Sequence, residues 1–481
     1  MNSFLTVNKN DNVAVALTDT HSVPFGHKIA LRDIREGDAI IKYGFPIGHA
    51  SCDIKMGDWV HSHNLSTNLK GIIEYSYNPS FDLEKNDLDI PKTFMGYRRK
   101  DGRVATRNEI WVIPTVSCVN KLAEKLAFVA DKGFGKLCDG IFAYPHNAGC
   151  SQMGEDFSIS QRILSSIVKH PNAGGVLVLS LGCENNDLEH FIPLLDEYDN
   201  KRIRTLVTQD YDGDEFEEGI RILREIAEEI TEDKREVVPV SDLIIGLKCG
   251  GSDAFSGITA NPLCGSISEK VTNLGGSALL TEVPEMFGAE QLLMDRADSM
   301  DTFERIVSLI NEFKSYYLSY NQPIDDNPSP GNKKGGITTL EEKSLGCVQK
   351  GGHAKVVDIL SYGEAVSRKG LNLVNGPGND SVSVTNLLAS GAQIILFTTG
   401  RGNPLGTAVP TIKISSNTAL FNRKRDWIDF NAGEIVNGSN FDEESAKLWS
   451  FIIDVASGKI KTKSEQNNYK EIMLFKDGVI L

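Results

Sequence analysis

No stretch of this 481-residue chain stays apolar for the roughly 18–20 residues that a bilayer-spanning helix needs, so no membrane partner is expected. The longest apolar runs, such as GGVLVLSLG at 174–182, have the length of buried strands. Positive charge is also in deficit. Lys and Arg number 50 against 65 Asp and Glu, a net charge of -15, which would repel nucleic acid or an anionic membrane surface. A small anionic substrate is still admissible, because a pocket can be locally positive. The first twenty residues show no basic stretch followed by an apolar one, so no secretory signal is expected. Eight cysteines are present, none in a Cys-x-x-Cys pair or in disulfide-scaffold spacing, and reduced thiols in a cytoplasmic protein are expected. Neither G-x-G-x-x-G after a first strand nor G-x-x-x-x-G-K-[ST] occurs, which leaves nucleotide binding without support. Internal repeats and low-complexity tracts are missing too.

What is present is ordinary globular material, 40% hydrophobic and 24% charged. The length exceeds what one core serves, so about two or three domains are expected. Residues 1–92 read as a small all-β module with a linker. Short alternating runs at 12–17, 27–31, 38–44 and 59–64 are separated by turn signals such as Glu36-Gly37-Asp38 and Met56-Gly57-Asp58, and a polar stretch, 76–92, follows. Residues 93–240 and 241–481 read as two α/β domains. Buried-strand runs (109–116, 139–146, 175–182, 202–210, 243–250, 278–281, 371–375, 393–400) alternate with amphipathic helices (121–131, 159–170, 215–233, 302–321). The expected class is therefore multidomain α/β, a small N-terminal all-β module followed by domains with largely parallel sheets.

In open parallel sheets the ligand lies beyond the carboxyl ends of the strands, so the residues that follow each strand form the candidate site. They are His146 with Cys150; Cys183; Cys249, Ser252 and Asp253; Glu282 and Glu285; and Arg401 with Asn403, most of them on glycine-rich turns. Asn379 and Asp380 precede a helix, a natural place to bind a carboxylate. His61 and His63, two apart on an expected strand, would face one side and can share a cation, with His27 in the same module as a third ligand. The alternative thiolate set is Cys150, Cys183, Cys249 and Cys347, for iron or an iron–sulfur cluster. Each residue also has a structural reading. A lone Cys is a small buried hydrophobe, the histidines are a solvent-facing pair, Glu282, Glu285 and Glu290 cap a helix near Pro284, and Arg99 and Arg107, second-choice partners for the substrate carboxylate, are surface arginines.

The segments NVAVAL, IIKYGFPIG, HSHN, RNEIWVIPTVSCVN, GCSQMGED, HPNAG, LGCENN, CGGSDAFSGITANP, LTEVPEMFGAEQLLMDRA, NPSPGNKKGGITTLEEKSLGC, GPGND, TTGRG and WIDFNAG run nearly end to end. Through them the chain resembles the altronate dehydratase (altronate hydrolase) family, which groups with galactarate dehydratase. The resemblance implies an N-terminal SAF-type β-clip domain, then a second and a C-terminal domain. It implies a hydro-lyase converting D-altronate to 2-dehydro-3-deoxy-D-gluconate in hexuronate breakdown, with Fe2+ or Mn2+ as cofactor. His49 stands where the family has an aromatic residue, which weakens it as a ligand.

Removing water from a 2,3-dihydroxy acid takes the C2 proton and expels hydroxide from C3. A divalent cation offsets the growing charge, a contribution of several kcal/mol. The expected assignments are His146, Glu282 and Glu285 for acid–base work; Ser252, Asp253, Asn379, Asp380, Arg401 and Asn403 for substrate; and His27, His61 and His63 for metal. The rival readings are a galactarate or sulfonated-acid lyase of the same superfamily, and a non-catalytic sugar-acid sensor. A homo-oligomer is compatible with all of them.

Overall fold

The computed structural model describes residues 3–80 and 90–478, so the linker expected over 76–92 lies partly outside the described residues. The N-terminal module is two small antiparallel sheets. One pairs Phe4–Leu5, Val13–Ala16, Lys28–Ala30 and Trp59–Val60 in sequence order, and the other pairs Ala39–Lys42, Phe45–Ala50 and Leu65–Ser66. The hairpin between Lys42 and Phe45 turns on Tyr43 and Gly44, both at positive φ (61° and 81°), the geometry that matches strand twist in two-residue loops. The strand expected through HSHN stops at Val60, and His61-Ser62-His63 lie in the turn beyond it. The two imidazoles therefore do not alternate along a strand as expected.

The next section carries a four-stranded parallel sheet. Its order is Ile141–Ala143, Glu109–Pro114, Ala173–Ser180, Ile203–Val207, with helices Asn120–Phe134, Gly154–Val168 and Glu215–Ile230 around it. Asp214 caps the last of these, accepting the backbone N–H groups of Phe216 and Glu217. Arg235–Pro239 returns to pair antiparallel with Thr93–Arg98.

The last section is built on a seven-stranded parallel sheet. Its order is Val356–Leu360, Gly370–Val374, Ser277–Leu280, Ile244–Cys249, Ile394–Thr399, Thr411–Ser415, Phe430–Asn431. The first strand in the chain is the central one. The next strand lies on one side of it and Ile394–Thr399 on the other, which creates a switch point where strand ends diverge and ligands bind. Gly246 lets the central strand approach its neighbours: an added Cβ would meet Ile395 and Leu387 at 3.1 Å. One apolar core is continuous between the N-terminal module (Val13, Ile40, Ile47) and this sheet (Leu247, Leu280, Leu396). Among the described residues no helix is long and apolar enough to cross a membrane.

Candidate active site

The central strand delivers Lys248 and Cys249 to the switch point. Leu247 pairs with Leu280, so Glu282, two residues past Leu280, lies level with Cys249. Glu282 is left-handed (φ 71°, ψ 58°), a conformation that costs a side-chain-bearing residue about 1–3 kcal/mol. It is held there by the Cys249 backbone N–H at 3.0 Å, by Lys350 at 3.2 Å and by Lys248. The turn that follows buries Glu285, and helix Leu340–Cys347 brings Lys343 and Cys347 from the other side.

The sulfurs of Cys249 and Cys347 lie 3.5 Å apart. Glu285 Oε2 is 3.0 Å from the first and 3.1 Å from the second, while its Oε1 pairs with Lys343 Nζ at 2.8 Å. Lys350 donates to Cys249 Sγ at 2.9 Å. Lys248 donates to Asp380 Oδ1 at 2.7 Å, and Asn403 donates to Asp380 Oδ2 at 2.7 Å. Three lysines thus face three carboxylates around two thiols, all buried except Asp380. Pairing of this kind makes buried charge tolerable. Burial alone would raise the Glu285 carboxyl, but Lys343, Lys248 and Lys350 hold it well below the usual carboxylate range. The hydrogen bond with Cys249, then burial, push the Cys347 thiol well above its usual value.

Cys249, Glu285 and Cys347 are the one group of three potential metal donors that converge within 4.8 Å among the described residues. Two sulfurs and a carboxylate suit a borderline-soft divalent ion, and three protein ligands leave positions open for a substrate, as catalytic sites require. The donors adjoin a cavity of about 940 Å3 whose wall includes Gly250, Gly251, Glu285, Asn332, Lys343 and Asp380. Tyr317 and Tyr320 also line it. Gly250 is needed at the wall, since a Cβ there would fall 2.7 Å from Asp380 Oδ2 and 2.8 Å from Phe397.

Of the residues singled out from the sequence, Glu282, Glu285, Cys249, Cys347, Asp380 and Asn403 are brought together here. Asn379 lines the same cavity while capping helix Asp380–Ala389. Ser252 is buried, and its hydroxyl has no hydrogen-bond partner in the protein. Asp253 turns away into bonds with Ser256, Ser416 and Asn417, and Arg401 is exposed.

The remaining candidates lie elsewhere. His146 is buried in the second section. Its Nε2–H donates to the Pro114 carbonyl at 2.7 Å and its Nδ1 accepts the Ala148 N–H at 3.1 Å; burial pushes it down to about 4. His27 donates from Nε2 to the Lys334 carbonyl (3.2 Å) and accepts the Trp59 indole N–H at Nδ1 (3.2 Å). His61 donates to the Lys333 carbonyl at 3.0 Å and contacts Ser62 Oγ at 3.0 Å. The two rings stack at 5.0 Å, and His63 packs on Trp59. Cys150 and Cys183 are exposed, at strand ends of the other parallel sheet. Arg99 pairs with Asp233, Arg107 with Glu465 and Glu290 with Lys314. Sequence reasoning missed Lys248, Lys343 and Lys350. A lysine inside the apolar strand run LIIGLKCG was the available signal, because burial there demands a partner.

Comparison with known proteins agrees along the chain. Residues 17–68 match the Altronate/galactarate dehydratase SAF domain, residues 96–231 the D-galactarate dehydratase/Altronate hydrolase second domain, and residues 240–480 the D-galactarate/Altronate dehydratase C-terminal domain. The chain is 49% identical to the altronate dehydratase of Bacillus subtilis (strain 168) over 100% of both chains. It is 45% identical to that of Escherichia coli (strain K12) over 99% of this chain and 100% of the other. To the galactarate dehydratase (L-threo-forming) of Escherichia coli (strain K12) it is 33% identical, over 96% and 94%. With its own SAF, second and C-terminal domains in that order, the chain belongs to the D-galactarate/altronate dehydratase family.

Proposed function

We propose that this protein is a metal-assisted hydro-lyase that converts D-altronate to 2-dehydro-3-deoxy-D-gluconate in hexuronate breakdown. The observation that carries the reading is the Cys249–Glu285–Cys347 donor group beside a cavity that Lys343 lines, in a chain of this family that is more similar to altronate dehydratases than to the galactarate enzyme. Those three side chains would hold the metal, and their mixed sulfur and oxygen set favours iron(II) over manganese(II). A bound divalent ion supplies Lewis acidity toward the substrate carboxylate as negative charge builds.

The chain's own groups account for the rest. Lys343 faces the cavity, where it is paired with Glu285 and can also reach the carboxylate of a sugar acid. Asp380 is the one carboxylate of the cluster with an accessible side chain, 32% exposed against 1% for Glu282. It is oriented by Lys248 and Asn403 and takes the C2 proton, which then leaves with the C3 hydroxide as water. The Ser252 hydroxyl, Asn332 and Asn379 bind substrate hydroxyls. Two thiols this close persist in reduced form in a cytoplasmic setting.

The test is a turnover assay of metal-stripped protein with iron(II), manganese(II) or neither, following 2-keto acid formation from altronate and from galactarate. Metal-dependent turnover of altronate in preference to galactarate is expected. Full turnover without any divalent ion, or a preference for galactarate, would overturn the reading. Retention of altronate without any turnover would favour a sensor.

A further inference from the structure

We propose that Glu342, clamped by Lys28 and Lys42 of the N-terminal module, is a positioning residue for the metal site, so that the module sets where Lys343 and Cys347 stand. Helix Leu340–Cys347 has eight residues, all buried, and includes Gly346. A helix this short has little stability of its own, so its position is decided by what holds it. The module holds one face. Thr339 donates to the Ile47 carbonyl at 2.6 Å. Glu341 accepts Thr67 Oγ1 at 2.9 Å and the Asn68 N–H at 2.6 Å. Glu342 accepts Lys42 at Oε1 and Lys28 at Oε2, both at 2.8 Å, and Oε2 also takes the Thr338 N–H at 2.8 Å.

The other face serves the cluster. Lys343 and Cys347 are four residues apart, one above the other on a helix, and both reach Glu285. Tyr43, at the left-handed turn of the module, presses its hydroxyl toward Gly257 and Gly346. A Cβ on Gly257 would fall 2.6 Å from that oxygen. Lys28 is fully buried and Lys42 is 1% exposed, so the charge-assisted bonds to Glu342 are directional and unscreened. They fix the helix in rotation as well as in depth, which apolar packing alone would not. The module therefore acts on the chemistry without lending the cluster a donor.

The inference rests on the metal reading above, and cobalt(II) separates the two, because thiolate ligation gives it a near-ultraviolet charge-transfer band. The full-length protein and E342Q are titrated with cobalt(II), and their kcat and KM for altronate compared. E342Q with unchanged circular dichroism should bind cobalt at least about tenfold more weakly and lose kcat by a similar factor, with KM within about threefold of the parent value. If E342Q does not fold, K42Q, which leaves Lys28 on Glu342, should show the same changes. Parental cobalt affinity, band and kcat in a folded variant would overturn the proposal. Should the parent protein give no cobalt band, the metal reading fails instead. The positioning role is then read from alkylation of Cys347: faster in the variant supports it, an equal rate overturns it.

Discussion

The ammonium of Lys350 lies 2.9 Å from the sulfur of Cys249 and 3.2 Å from a carboxylate oxygen of Glu282, and none of the three side chains reaches solvent. That cation bridges the sulfur and the carboxylate. It also shares with Lys248 the neutralisation of Glu282. Burial would weaken the Lys350 ammonium, but Cys249 and Glu282 hold it well above the usual lysine range.

Replacing Lys350 by Met removes that cation at nearly constant volume and leaves Glu282 with Lys248 as its one cationic partner beside the Cys249 N–H. Breaking a buried pair from one side costs about 3–5 kcal/mol. Urea unfolding should show a loss of this size, together with weaker metal binding. Stability within about 1 kcal/mol of the parent and full metal content would show that Lys350 is not integral to the cluster.

The histidine set expected from the sequence and the Cys249–Glu285–Cys347 group make opposite predictions. Cys249→Ser and Cys347→Ser should each lose bound iron while keeping the far-ultraviolet spectrum. The double change His61→Ala with His63→Ala should keep the iron, because His61 is already engaged with the Lys333 carbonyl. Loss of iron from the histidine variant, with retention in the serine variants, would transfer the site to the N-terminal module.

Gly250→Ala changes no charge and removes no donor, yet its methyl group would lie 2.7 Å from Asp380 Oδ2. Displacing Asp380 should lower kcat/KM for altronate by about 100-fold with metal content unchanged, the usual consequence of misplacing a reacting group by about 1 Å. Parental kcat/KM in this variant would remove Asp380 from the reaction.

Acid should destabilise the protein through His146, whose folded value of about 4 lies below the ordinary 6.5 because burial opposes its charge. The unfolded chain then binds the proton more tightly than the folded one. The stability contributed by the neutral ring is complete above about pH 6.5 and is lost as pH falls toward 4. Between pH 7 and 5 this amounts to about 2 kcal/mol. His146→Gln, which cannot take up the proton, should flatten the pH dependence of urea unfolding by that amount. An unchanged slope would mean that His146 titrates normally.

Much of the site was legible because glycine-rich turns at strand ends announce where a parallel sheet opens. Cys249 and Asp380 stand in such places, Asn403 follows one, and Glu282 and Glu285 follow a strand end without glycine. Lys343 and Lys350 were not legible. In LEEKSLGCVQKGG the charges look like the solvated face of a surface helix, yet the whole of Leu340–Cys347 is buried. The histidines misled for a related reason: a sequence displays an imidazole but not the carbonyls of Pro114 and Lys333 that occupy it.

By itself the sequence determined the β module, the parallel α/β architecture, the glycine-lined strand ends and the family, because hydrophobic period, turn residues and long shared segments are local properties of the chain. Only the tertiary structure decided which donors meet. Cys249 and Cys347 are separated by 98 positions and Lys42 and Glu342 by 300. A buried charge or thiol takes its chemistry from the partners that replace water around it, and those partners are set by packing across the whole fold.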